Sequence, residues 1–293
     1  MIKLFPGFEP RWFEAGEVVI YGVVGGSGPP LLLLHGYPQT HAMWHKVAGE
    51  LAKRFTVVAT DLRGYGASGK PDGPPDHSAY SKRAMAEDQV RVMASLGFDR
   101  FRVVGHDRGA RVAHRMVLDH ESRIDRWAVL DIVPTRTMYL KTDRRFAEAY
   151  YHWFFLIQPA PFPEKLIGAD PDFFLNRHLG SRQGGLAAFD PDALAKYRAA
   201  FRNPATIHAS CEDYRAAATI DLEHDEEDLG RRIRSPLLVL WGKHGVVEHC
   251  FDPLEDWRER VVTVSGRALP CGHYLAEEAP AETVAELLAF LER

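Results

Sequence analysis

Cysteine is scarce in this chain. Three residues of 293, Cys211, Cys250 and Cys271, lie scattered without metal-ligand or disulfide-framework spacing. That excludes a disulfide-stapled fold and a cysteine-built metal site, and reads as reduced thiols in a cytoplasmic protein. Long apolar runs are lacking too: none approaches membrane-spanning length, so no membrane partner is expected. The start, Met-Ile-Lys-Leu-Phe-Pro-Gly-Phe, has no charged-then-apolar signal pattern. Nor does charge of one sign dominate. Lys and Arg number 36 against 40 Asp and Glu, a formal net charge of −4, which gives nucleic acid no purchase. No repeat or low-complexity tract interrupts the chain. What remains is 46% hydrophobic and 26% charged, ordinary for a soluble globular protein large enough to bury a substantial core.

The order of elements predicts an α/β fold. Glu17–Val24, Pro30–Leu34, Phe55–Ala59, 101–106, Arg126–Ile132 and Pro236–Trp241 read as strands. Helical patterns over His41–Arg54, Ser81–Leu96, 110–120 and Ala281–Leu291 alternate with them, as in a mostly parallel sheet with helices on both faces. The rhythm stops after Pro134. From there to about residue 232 the chain has aromatic clusters, proline punctuation and helical stretches, but no buried strand. We therefore expect a core of residues 1–133 and 233–293, with residues 134–232 as a helical cap over a pocket at the sheet's carboxyl edge.

One strand-to-helix junction carries the chemistry. Gly105-His106-Asp107-Arg108-Gly109 is a Gly-x-nucleophile-x-Gly elbow, the turn of the α/β-hydrolase fold, with aspartate where serine is usual. The glycines suit a strained turn, and the helix N-terminus adds positive partial charge beside the nucleophile. A serine attacking a saturated carbon would leave an ether, which water does not readily cleave. An aspartate leaves an ester, which it does. The residue type predicts displacement at an sp³ carbon rather than acyl transfer.

Further residues fall where such chemistry needs them. His273, in a loop before the last helix, occupies the chain position of the histidine in the order nucleophile, acid, histidine, and would activate water against the ester. For the acid that orients it, Asp131 at the end of a strand is favoured over Glu248 in the later loop. His35-Gly36-Tyr37-Pro38 fits an oxyanion loop, so the backbone N–H groups of Tyr37 and Arg108 would hold the developing oxyanion. Arg108 and Arg111, three residues apart in the first turn of the helix, share one face and offer bidentate recognition of a carboxylate. In the cap run Tyr150-Tyr151-His152-Trp153-Phe154-Phe155 most rings should serve packing, but His152 and Trp153 carry N–H donors for a departing anion.

Together these stretches resemble the fluoroacetate (haloacetate) dehalogenases of the α/β-hydrolase fold, over nearly the whole length. The likeness includes Asp61-Leu62-Arg63-Gly64-Tyr65-Gly66, Leu130-Asp131-Ile132-Val133-Pro134, Cys211-Glu212-Asp213-Tyr214-Arg215 and Gly272-His273-Tyr274. The resemblance implies Asp107 as nucleophile, with His273 and Asp131 as the water-activating pair. It implies Arg108 and Arg111 on the substrate carboxylate, and His152, Trp153 and Tyr214 around the halide. It implies a small 2-haloacid substrate, a homodimer, and no metal or cofactor. One stretch departs: the family has a Phe-Gly-Trp-Gly near where this chain reads Leu179-Gly180-Ser181-Arg182-Gln183-Gly184. An epoxide hydrolase with the same aspartate, and a catalytically silent small-acid-binding hydrolase, remain as alternatives.

Overall fold

The computed structural model describes residues 4–181 and 184–293. Among these, eight strands form one sheet: β1 (Phe8–Glu14), β2 (Val19–Gly25), β3 (Pro30–Leu34), β4 (Thr56–Thr60), β5 (Phe101–His106), β6 (Ile124–Leu130), β7 (Leu237–Gly242) and β8 (Val264–Leu269). Their order is β1-β2-β4-β3-β5-β6-β7-β8, with β2 antiparallel to both its neighbours, β1 and β4, and every other pairing parallel. The central strands are continuous apolar runs because helices cover both faces. Leu31, Leu32, Leu33 and Leu34 of β3 are fully buried, as are Leu237, Val239 and Leu240 of β7.

β1 is a strand that the sequence pattern does not announce. Its run Phe-Glu-Pro-Arg-Trp-Phe-Glu carries a proline and three charges, and five of its seven residues are exposed. That composition suits an edge strand, where a missing N–H costs nothing, and it has no apolar signature to find. The pattern for His41–Arg54 resolves into a short 3₁₀ turn, His41–Trp44, followed by the helix His45–Leu51.

The topology sets where a site can form. β3 lies between β4 and β5, so the loops that leave β3 and β5 at their carboxyl ends part in opposite directions. A crevice opens at such a switch point. The loop after β3 holds Tyr37, and the turn after β5 holds Asp107. Between β6 and β7 the described residues form helices and no strand, from Thr135–Leu140 through Ile220–Glu227. Four of these helices have a side-chain cap at the start. Asp143, Asp170, Asp190 and Asn203 each accept backbone N–H groups at a helix start. Arg182 and Gln183, within the departing Leu179–Gly184 stretch, lie outside the described residues.

Candidate active site

Asp107 sits at the junction of β5 and the helix Arg108–His120, with φ 47° and ψ −113°. A side-chain-bearing residue rarely adopts this backbone, and strain of about 1–3 kcal/mol is held in place by the packing around it. The neighbours must be glycine because of close approach. A Cβ on Gly109 would lie 2.4 Å from the His35 carbonyl oxygen and 2.5 Å from that of Leu34. A Cβ on Gly105 would lie 2.5 Å from the Gly109 oxygen. A Cβ on Gly36 would meet Asp107 Cβ at 2.6 Å, so the oxyanion loop is also glycine-dependent.

The Tyr37 backbone N–H donates to Asp107 Oδ1 at 3.0 Å. The carboxylate is buried, and burial alone would push its pKa up. His273, His106, Arg111 and Arg108 outweigh burial and bring it down to about 2, so the carboxylate is ionised at neutral pH. His106 sits behind it. Burial, and then the neighbouring His273, lower its pKa to about 4, and its Nε2 donates to the His273 carbonyl oxygen at 2.8 Å. His106 is therefore a neutral brace on the His273 loop.

Asp131 follows β6 in a second strained conformation, φ 55°. Its Oδ1 accepts from the Gly242 N–H at 2.9 Å, and its Oδ2 lies 2.5 Å from His273 Nδ1. With Nδ1 engaged, Nε2 is the ring nitrogen left for chemistry. Glu248, the rival acid, is occupied elsewhere, accepting from Trp241 Nε1.

The arginines are buried, Arg108 at 0% and Arg111 at 2% exposure, which rules out solvated surface groups. They are not equivalent, and this corrects the expectation of two forks. Arg108 donates from Nε and Nη2 to Asp213 Oδ2 and Oδ1, at 3.0 and 2.6 Å, leaving Nη1 unbonded. Its guanidinium lies 4.1 Å from the centre of the Tyr214 ring. Arg111 has no carboxylate partner among the described residues. Its Nη1 donates to Thr135 Oγ1 at 2.9 Å, Nη2 points at Met138 Sδ, and Nε is unbonded. Burial, and then Arg108, lower the Arg111 pKa.

His152 and Trp153, on the short helix Tyr151–Leu156, are both buried. The Trp153 ring lies 6.2 Å from that of Tyr214 and 4.7 Å from the Arg111 guanidinium; the His152 ring lies 5.7 Å from Tyr214. Trp153 Nε1 and the Tyr214 hydroxyl are buried with no hydrogen-bond partner among the described residues. Each such donor costs about 1–3 kcal/mol. Two orphaned arginine nitrogens, an indole N–H and a phenol are gathered in one place, an arrangement that can receive an anion. A cavity of about 340 Å³ is lined by Tyr151, Arg177, His244, Gly245, Gly272 and His273.

Asp213, His106 and Thr135 were not singled out by the sequence reading, because each acts through a residue far away in the chain. Among the described residues, no group of three or more His, Cys, Asp or Glu side chains could hold a metal ion, and no helix is long and apolar enough to cross a membrane.

Comparison with known proteins agrees with this geometry. The family model of the alpha/beta hydrolase fold matches residues 29–280. The fluoroacetate dehalogenase of Burkholderia sp is 52% identical over 289 residues, covering 98% of this chain and 95% of that protein. The soluble epoxide hydrolase of Corynebacterium sp. (strain C12) is 32% identical, covering 92% of each. A crystal structure of an alpha/beta hydrolase from Nostoc sp PCC 7120 superposes with a TM-score of 0.97 at 58% identity, covering 98% of this chain and 99% of that one. The chain belongs to the α/β-hydrolase fold family and, within it, to the family of the fluoroacetate dehalogenases.

Proposed function

We propose that this chain is a hydrolytic dehalogenase of short 2-haloacids, converting a haloacetate and water to glycolate, halide and a proton. The observation that carries the reading is an ionised aspartate at the elbow near an arginine, Arg111, to which no carboxylate is bonded among the described residues. The 52% identity to a fluoroacetate dehalogenase supports it.

The roles follow from which atoms are engaged. Asp107 Oδ1 is held by the Tyr37 N–H, so Oδ2 attacks the halogen-bearing carbon in line. The substrate carboxylate lies against Arg111 Nε and Arg108 Nη1. The halide leaves toward the N–H and O–H donors of His152, Trp153 and Tyr214, which stabilise its charge in a site that excludes water. His273 Nε2, with Nδ1 held by Asp131, then takes a proton from water, which attacks Cγ of the ester. Charge develops on Oδ1, where the Tyr37 and Arg108 backbone N–H groups receive it. The bond from Cγ to Oδ2 breaks, and glycolate leaves with Oδ2 and the proton from His273.

Residues 134–232 serve in this reading as the cap that brings the halide donors over the nucleophile. The cavity beside His273 is the route for acid and water. Phe162 and Leu166, one turn apart, and Phe173 on the next helix expose apolar surface, which suits a homodimer in the cytoplasm. Light scattering checks the dimer.

A second reading, epoxide hydrolysis, has the 32% identical relative behind it and would use the same Asp107 and His273. It needs an acid over the epoxide oxygen, for which the Tyr214 hydroxyl is available, but it has no use for the charge of Arg111. Halide release from fluoro-, chloro- and bromoacetate, with a terminal epoxide in parallel and Asp107→Asn as control, separates the two. Aspartate-dependent halide release is the expected result. Diol formation without halide release sinks the dehalogenase reading.

A further inference from the structure

Asp213, one residue before Tyr214 on the helix Pro204–Ala218, is fully buried and takes no part in the steps above. Its carboxylate is among the most heavily engaged in the protein. It accepts from Arg108 Nε and Nη2, from the Tyr65 hydroxyl at 2.6 Å, and from Lys82 Nζ. Its backbone oxygen accepts a further bond from Arg108 Nη2 at 2.7 Å. Lys82 has a second acidic neighbour in Asp221, whose Oδ2 lies 3.5 Å away. Arg108 and Lys82 are thus matched in charge by Asp213 and Asp221.

Two consequences follow. A guanidinium is planar, so pinning Nε and Nη2 leaves Nη1 only one direction. The same pairing offsets the charge of Arg108, which keeps one aimed donor, while among the described residues no carboxylate is bonded to Arg111. A free Arg108 would be a second full cation with rotamer freedom. The donors to Asp213 come from the loop after β4 and from the start of the helix Lys82–Ser95, so three separate segments converge on this one carboxylate.

Resting on the haloacid reading above, we propose that Asp213 is a positioning residue for the substrate carboxylate: braced by Tyr65 and Lys82, it aims Arg108 Nη1 at that carboxylate and leaves Arg111 as the arginine that no carboxylate among the described residues engages by a hydrogen bond. The halide donor Trp153 Nε1 is not bonded to this brace, and neither is the Tyr214 hydroxyl, although the Tyr214 ring lies against the Arg108 guanidinium.

The test uses two probes of the intact protein, acetate for the carboxylate site and bromide for the halide site, with binding read by calorimetry. Asp213→Asn removes the charge and one pair of lone-pair contacts. Loss of one aimed charge-assisted bond corresponds to about a tenfold weakening or more. Acetate affinity is expected to fall by about that factor while bromide affinity stays within about twofold. Because uncompensated Arg108 and Lys82 could prevent folding, Tyr65→Phe is made alongside. It removes one brace and no charge, and should weaken acetate by about threefold with bromide unmoved. In turnover, KM for bromoacetate should rise by a larger factor than kcat falls. Acetate and bromide weakening together, or acetate unmoved in the variants that fold, overturns the proposal, as does a wild-type protein that does not bind acetate. Acetate binding does not require turnover, so absent halide release from wild type condemns the dehalogenase reading separately.

Discussion

Asp107 shows how one residue's identity and surroundings set its chemistry. Its low pKa comes from four nearby cationic or polarising groups overcoming burial, and its geometry from a backbone that only surrounding contacts hold at positive φ. His273 has the complementary role, needed after the carbon–oxygen bond has formed. Replacing His273 with Asn should therefore leave the first displacement intact and block the second step. Intact mass after incubation with bromoacetate is expected to show the protein heavier by one carboxymethyl group, and peptide mapping to place it on Asp107. The same treatment of Asp107→Asn should give no adduct. An adduct on a cysteine instead, with Asp107 unmodified, would refute the assignment. The positions of Asp107, Asp131 and His273 as candidates were legible in the sequence because their order and spacing relative to strands is a local pattern. The unequal roles of Arg108 and Arg111 were not. Spacing of three residues put both on one face, but only the fold brings Asp213, about a hundred residues later, against one of them.

The elbow itself is the element on which the site depends. β5 and the helix Arg108–His120 cross closely enough at Gly105 and Gly109 that backbone atoms of the β3 end touch the turn. For Gly109→Ala, a methyl 2.4 Å from a backbone oxygen has nowhere to go, since the neighbour is main chain rather than a flexible side chain. Overpacking of this kind costs about 1–3 kcal/mol, and here it also pushes Asp107 off its position. The expected outcome is a lower midpoint in thermal unfolding together with at least a hundredfold loss of halide release. A variant with wild-type stability and rate would contradict the tight-crossing account. At this scale the sequence was readable wherever a strand was buried on both faces: β3, β4, β5, β6 and β7 were all located within a few residues. β1 escaped because an exposed edge has no apolar run. The helices of the 134–232 segment were visible as a class, but their packing over the nucleophile was not, since aromatic runs such as Tyr150–Phe155 do not say which ring faces which cavity.

Across the whole molecule, the helical segment and the sheet are joined by buried polar contacts as well as by apolar packing. Glu277, four residues beyond His273, accepts from the Tyr197 hydroxyl at 2.6 Å, and Lys46 Nζ lies 3.4 Å from its other oxygen. Burial outweighs these partners and raises its pKa to about 7. A carboxyl with a raised pKa binds its proton more tightly in the folded state. Its contribution is thus favourable below the unfolded pKa of about 4.5 and is lost as pH rises toward 7. The difference is about 3 kcal/mol. Glu277→Gln cannot ionise. Its stability relative to wild type, from urea unfolding, should improve by roughly that amount between about pH 4.5 and about pH 8. A constant difference across that range would mean that Glu277 is not held protonated by burial.

The ester on Asp107 is the central claim, and one turnover in heavy-oxygen water tests it directly. With enzyme in excess over bromoacetate, the glycolate oxygen should come from Asp107, so the product carries no label and the label appears in the Asp107 peptide. Glycolate labelled in that first turnover, with Asp107 unlabelled, would show that water attacks the carbon itself and would contradict the account.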